Sequence, residues 1–514
     1  MSDREQRDAI RERHRAARRR ALDGLTVASW IDGRSVGDGD TADPDTDVTE
    51  TRATRDPVID EPIVEVPVAT ADTVDAAVTA AQATFDDEWG ATTPRERSHR
   101  LHEWTDVLSD HVDELTLLES LDTGKPIAEA RGEVEGAIDT LEYYASACRV
   151  QTGEQIPAGS DLHMYTRTEP FGVVGQITPW NFPAWAAAWK LGPALAAGNC
   201  SVLKPSAHAP LTTIRMAQLS TEVLPDGVCN VVTGPGSTTG SALVEHDGVR
   251  KLSFTGSGDV GTEVMRTVAS RLAPVTLELG GKSPFVVFPD ADLDTVVEAV
   301  ADGIYYSTGE ICDALSRALV HEDVYDEFVA RFVEQSRSYV LGDPLDEETT
   351  MGPLTTADQF ETVTEYVDVG LEAGATLATG GGTPDDGALK DGHYVEPTVF
   401  TDVDNDMRIA REEIFGPVQT VQSFATYEEA IELANDTPFG LAAGIGSESS
   451  DLIHHAAADI EAGVVYVNAY GPIRPEGPYG GFKQSGIGRD LGEEALTHYR
   501  QTKTVYVNLD EPSV

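Results

Sequence analysis

The sequence predicts an α/β protein built on two open parallel sheets, and three observations carry that prediction. From Gly172 onward, short β-branched runs alternate with helical stretches, the pattern of right-handed strand–helix–strand crossovers. The 514 residues exceed what a single core organises, so two or three domains are expected. A hydrophobic content of 40% suits a globular chain, and no apolar run approaches the roughly 18 residues of a membrane span.

The elements follow in order. Residues 1–24 are basic, with eight arginines between Arg4 and Arg20 against five acids in the segment. They favour helix but lack an apolar stripe, so a solvated, mobile helix is expected; docking on the protein's own acidic surface is the sharper alternative. Residues 36–60, rich in Asp, Thr, Gly and Pro, read as surface loop. Ala71–Phe85 and Pro94–Leu121 carry helical periodicity. Strands are then expected at 172–178, 201–205, 230–234 and 251–256, with helices between them. A second α/β region runs from about Ser283 to Tyr479.

Charge narrows the partners. Eighty-eight acidic and 37 basic residues leave a formal net charge of −51, which opposes nucleic acid and anionic membranes. The acids spread along the whole chain, and only eight lysines stand beside 29 arginines. That balance reads as halophilic, because at 1 M salt the Debye length shrinks to about 3 Å and self-repulsion is screened. The four cysteines (Cys148, Cys200, Cys229, Cys312) form no CxxC pair, so neither a disulfide framework nor a metal site is signalled. With no secretory h-region, the expected compartment is the cytoplasm.

The chemistry centres on Cys312, in Gly309-Glu310-Ile311-Cys312-Asp313, and Glu278, in Leu277-Glu278-Leu279-Gly280-Gly281-Lys282. A thiolate attacks a carbonyl carbon, and a carboxylate activates the water that clears the thioester. A lone cysteine is more often a small buried hydrophobe. Thr255-Gly256-Ser257-Gly258 follows a strand and opens a helix, whose free N–H groups suit a pyrophosphate. Lys204, at a strand end, is placed for ribose hydroxyls or phosphate; a surface lysine is the plainer reading. Asn181 offers an amide to a developing oxyanion, or else caps a helix.

These pieces together resemble the aldehyde dehydrogenase superfamily. The likeness runs from about Trp30 to Val507 and includes Leu121–Pro126, Pro179–Pro183, Trp189–Leu195, Leu203–Ser206, Phe254–Gly261, Glu412–Val418 and Gly480–Gly486. It implies a Rossmann-like cofactor domain (25–150 and 171–280), an α/β catalytic domain (281–480) and a small β oligomerisation flap (151–170 and 481–514). It also implies NAD or NADP as cofactor, a small aldehyde as substrate and a homodimer or homotetramer. Thr178, Pro179, Trp180, Lys204, Ser206, Ala207, Gly236, Gly256, Ser257, Val260, Gly280, Glu413 and Phe415 would then hold the cofactor. Cys312 would be the nucleophile, Glu278 the hydrolytic base and Asn181 the oxyanion donor, with Lys190 and Asp490 relaying the proton.

Departures from the family pattern sharpen the expectations. Ser307 and Glu310 stand where Asn and Gln are common, and an anion at Glu310 should raise the Cys312 pKa unless its side chain points away. Ala207 replaces a glutamate typical of NAD-preferring members, which removes repulsion against a 2′-phosphate; Ser206 and His208 would then favour NADP. Phe182, Trp189 and Tyr479 match tunnel positions, and Arg474 could pair with a carboxylate-bearing semialdehyde, although an ordinary solvated arginine is the plainer reading. A CoA-acylating enzyme is disfavoured because Glu278 would hydrolyse its intermediate. A non-catalytic member of the fold is the remaining alternative.

Overall fold

A computed structural model of the chain describes residues 2–37, 50–384 and 387–509. Two large sheets organise it. The first has eight strands in the spatial order 486–487, 275–278, 251–255, 173–177, 200–204, 229–231, 29–31 and 34–36. Its central five are parallel, and the antiparallel strands sit at the two edges. Val173–Ile177 and Cys200–Lys204 are buried at every position, as a sheet covered on both faces requires. The covering helices begin cleanly: Thr70 and Thr93 each form a capping box, and Pro94 occupies the first turn of its helix.

The second sheet has seven strands, ordered 376–379, 398–401, 418–424, 317–321, 284–287, 442–446 and 464–467, all parallel except the first pair. Alternation along one strand fills both of its faces. Phe285 and Val287 join one buried cluster, while Val286 and Phe288 join another. A third, three-stranded sheet pairs Arg500–Asn508 with Leu162–Pro170 over nine residues, and Gln155–Ile156 extends it.

Three sequence expectations need correction. The N-terminal helix, Asp3–Ala21, is docked and not mobile. His14 is buried between Asp56 (Nδ1 to Oδ2, 2.7 Å) and Asp343 (Nε2 to Oδ1, 2.8 Å). Arg11, Arg13 and Arg15 reach Asp391, Asp343 and Glu61. Charge pairing supplies what the missing apolar stripe could not. The segment expected as flap from residue 481 joins the third sheet only from Arg500. Before that, Gly486–Ile487 edges the first sheet and the helix Gly492–His498 packs on Pro183–Ala196. The last residues, 510–514, lie outside the described residues. Within 36–60, Thr51–Asp56 pairs with Glu61–Pro67 as a hairpin, and residues 38–49 lie outside the described residues.

Candidate active site

Strand order places the site. Val173–Ile177 lies between Lys251–Thr255 and Cys200–Lys204, so connections leave it in opposite directions and open a crevice at the strands' C-terminal ends. Those ends carry Thr178 to Asn181, Lys204, Thr255 to Ser257, and Glu278. The crevice is a cavity of about 730 Å³ lined by Pro179, Trp180, Asn181, Phe182, Trp189, Gly256, Ser257, Glu278, Gly280, Cys312, Glu413, Phe415, Tyr479 and Asp490, among others.

Cys312 sits in the loop before the strand Arg317–His321, and its approach is a tight coil. Ser307, Thr308 and Gly309 all have positive φ, of 49°, 54° and 75°. A Cβ on Gly309 would lie 2.4 Å from the Gly416 carbonyl, so only glycine fits there. The Cys312 Sγ lies 3.4 Å from the Tyr479 hydroxyl. Burial, then the neighbouring Asp313 carboxylate, push its thiol well above the ordinary value. The other cysteines are buried away from the cavity, with burial raising Cys148 to about 11 and Cys229 to about 12. Among the thiols, Cys312 alone lines the crevice.

Asn181 donates its side-chain amide to the Glu310 carbonyl at 2.8 Å. An amide carries two N–H bonds, so the second is left for another acceptor. Neither oxygen of Glu278 meets a hydrogen-bond partner among the described residues. Burial, then repulsion from Asp490, push its carboxyl well above the usual carboxylate range, which makes its ionised form a stronger base. Gly480 makes room for it, since a Cβ there would lie 2.6 Å from Glu278 Oε1. Behind it, buried Lys190 bridges Asp490 (2.9 Å) and Ser253 (3.0 Å).

The other half of the crevice is a cradle. The Trp180 and Phe415 rings meet edge to face, 5.4 Å between centroids. Glu413 accepts the Gly281 N–H at 3.0 Å, and burial lifts its carboxyl to about 7. The helix Gly258–Ala269 starts at Ser257 without a side-chain cap, which leaves its first N–H groups free, and a Cβ on Gly258 or Gly236 would meet open space. Val260 is exposed on that first turn, and the Thr178 hydroxyl is buried without a hydrogen-bond partner among the described residues. Lys204 donates to the carbonyls of Pro205 and Gly234, with burial lowering its pKa to about 8. Ser206 accepts the His208 N–H beside Ala207, and Arg52 approaches His208 at 3.4 Å. This set fits a dinucleotide: free helix N–H groups for a pyrophosphate, a strand-end lysine and two aromatic walls.

Residues 45–505 match the model of the aldehyde dehydrogenase family. The chain belongs to that family. It is 44% identical over 445 residues to an aldehyde dehydrogenase of Emericella nidulans, covering 86% of this chain and 89% of the relative. Among solved structures, betaine aldehyde dehydrogenase from Staphylococcus aureus in complex with NAD+ superposes with a TM-score of 0.93 at 37% identity, with 98% of both chains covered. An NAD+ complex of aldehyde dehydrogenase from Bacillus cereus gives 0.91 at 40% identity, covering 95% of this chain and 98% of the other.

In this aldehyde dehydrogenase two sequence expectations about the crevice fail. Arg474 is exposed and does not line the cavity. A tight turn, with the Ile473 N–H bonded to the Gly471 carbonyl at 2.7 Å, sends Ile473 inward and its neighbour out. Glu310 turns away from Cys312: its carboxyl meets the Thr355 N–H and hydroxyl and is not among the groups that shift the thiol. Other crevice residues escaped the sequence reading. Asp313 is held by the hydroxyls of Tyr466 (2.7 Å) and Tyr470 (3.1 Å), and Trp185, Tyr306 and Asp302 also line the walls. Asp313 stands next to the nucleophile in the sequence, but its two tyrosines lie more than 150 residues away.

Proposed function

We propose that this enzyme oxidises a small neutral or cationic aldehyde to its carboxylic acid, with NAD or NADP, through a thioester on Cys312. The observation that carries this reading is the convergence of the cavity thiol, the Asn181 amide and the Glu278 carboxyl on one crevice beside a dinucleotide-shaped cradle. The Cys312 sulfur attacks the aldehyde carbon, and the carbonyl oxygen becomes an oxyanion within reach of Asn181 and the Cys312 N–H. The nicotinamide supplies a hydride acceptor, which no side chain can provide. Glu278 takes a proton from water as that water attacks the thioester, releasing the carboxylic acid and the Cys312 thiolate. Its proton then has a path through Asp490 and Lys190. Trp180, Phe415 and Glu413 hold the nicotinamide end, and Lys204, with Gly256 and Ser257, the ribose and phosphates.

Substrate charge follows from the lining. Among the described residues no lysine or arginine borders the cavity, while Asp302 and Asp313 do. A carboxylate-bearing semialdehyde would therefore meet like charge and no counter-ion. The exposed Tyr506, Val507 and Leu509 of the third sheet support its role as an oligomerisation flap in a homodimer or homotetramer. Free thiols throughout support a reducing, cytoplasmic setting. The test is turnover of cationic, neutral and carboxylate-bearing aldehydes with both cofactors at molar salt. The expected result is a kcat/KM for the first two at least about ten-fold above the third. Preference for the anionic aldehyde, or no turnover of any, contradicts the reading.

A further inference from the structure

Hydrogen-bond arithmetic beside the nucleophile leads beyond the chemistry above. The Thr355 hydroxyl lies 2.9 Å from the Thr123 carbonyl oxygen and 2.7 Å from Glu310 Oε2. A hydroxyl has one hydrogen, and a carbonyl oxygen has none to give. Thr355 therefore satisfies both contacts only if it donates to Thr123 while Glu310 donates to Thr355. The Thr355 N–H, 3.0 Å from Oε1 and 3.2 Å from Oε2, lies nearer the other oxygen. That is the donor–acceptor pattern of a carboxylic acid, and equally of a glutamine amide.

The surrounding charges agree. Glu310, Glu119 and Glu133 are buried, and Glu129 half-buried, around Lys125. Lys125 is fully engaged elsewhere: it pairs with Glu133 at 2.5 Å, donates to the Asn181 backbone carbonyl and covers the Phe182 ring at 3.9 Å. One ammonium cannot offset three buried carboxylates and a fourth that is half-buried. Thr355, Asn181 and Ser307, the groups hydrogen-bonded to Glu310, are uncharged. Burial, opposed by the Thr355 hydrogen bonds, raises the Glu310 carboxyl to about 8.

We propose that Glu310 is a neutral carboxylic acid in the working enzyme, acting as a positioning residue that holds Asn181 and the Cys312 loop in register, and that loss of its proton shuts down turnover at alkaline pH. The link to the chemistry is direct. Its backbone carbonyl accepts the Asn181 amide, and its N–H donates to Ser307 at 2.9 Å in the coil before Cys312. When Glu310 ionises it can only accept, so Thr355 must abandon Thr123. The contact that ties Glu310 through Thr355 to the Thr123 carbonyl is lost, and with it the register of the loop that holds Asn181 and Cys312. The proposal rests on the roles given above to Cys312 and Asn181.

The experiment compares pH–rate profiles of the wild type and Glu310→Gln, whose amide reproduces the donor–acceptor pattern without titrating. Wild-type kcat is expected to fall above pH 8 by roughly ten-fold per unit. Glu310→Gln should match it near pH 7 and lack that fall. The other titrating groups (Glu278, Glu413, Lys204) are common to both proteins, so the difference isolates Glu310. An identical alkaline limb in both, no limb in the wild type, or a Gln variant inactive at pH 7 overturns the idea. Infrared difference spectra supply a readout independent of turnover. The wild-type pH 7 minus pH 10 difference spectrum should contain a protonated-carboxyl C=O component that the Glu310→Gln spectrum lacks; identical difference spectra overturn it even if the Cys312 chemistry stands.

Discussion

Cys312 and Glu278 were legible from sequence because each lies in a short local motif, and local motifs survive without knowledge of the fold. What sequence could not supply was which groups surround them. Asp313 gains its meaning from Tyr466, within the strand Val464–Val467, and Tyr470 just beyond it. Arg474 and Ile473 differ by a single position, and one turn decided which entered the cavity. The same holds for Arg52, whose guanidinium reaches His208 from a hairpin hidden in an apparent loop. With Ala207 in place of an acid, Arg52 is placed to meet a 2′-phosphate. Arg52→Ala should raise the KM for NADP by about ten-fold, a loss near 1.4 kcal/mol, and leave NAD nearly unchanged. Equal effects on both cofactors would remove Arg52 from that role.

At the scale of elements, strand–helix alternation was readable because its period is local, whereas the docking of the N-terminal helix, only the alternative reading from sequence, depends on distant acids. His14 explains the docking. Burial opposes its charge, but hydrogen bonds to Asp343 and Asp56 outweigh it and raise its pKa from 6.5 to about 9. A pKa raised on folding contributes stability that is fully present below 6.5 and lost as pH rises through 9. The helix joins the hairpin that carries Asp56 to the Asp343 segment of the second sheet's domain, so its release should loosen both. His14→Ala leaves two buried carboxylates facing each other and should cost about 3 kcal/mol. Denaturant unfolding at pH 7 and pH 10 checks this, with the variant's deficit shrinking at the higher pH. A deficit that does not depend on pH would assign His14 a packing role alone.

The whole molecule joins two α/β sheets whose edges contribute different halves of one reaction. The C-terminal ends of the first sheet bring Asn181, Lys204, Ser257 and Glu278; the loops entering the second bring Cys312, Glu413 and Phe415. Its charge of −51 surrounds this crevice, and the few lysines persist mainly inside, where Lys125, Lys190, Lys204, Lys251 and Lys282 are all buried. Sequence revealed this division through its ordered motifs, but not that the two edges face one another across a single cavity. The central claim is that Cys312 carries the acyl group until Glu278 brings in water. The direct measurement is rapid mixing of Glu278→Gln with aldehyde and cofactor, followed by mass spectrometry of the Cys312 peptide. The account predicts a burst of one reduced cofactor per active site, then arrest with an acyl mass on Cys312. Steady turnover without a burst, or an acyl group on another residue, would contradict it.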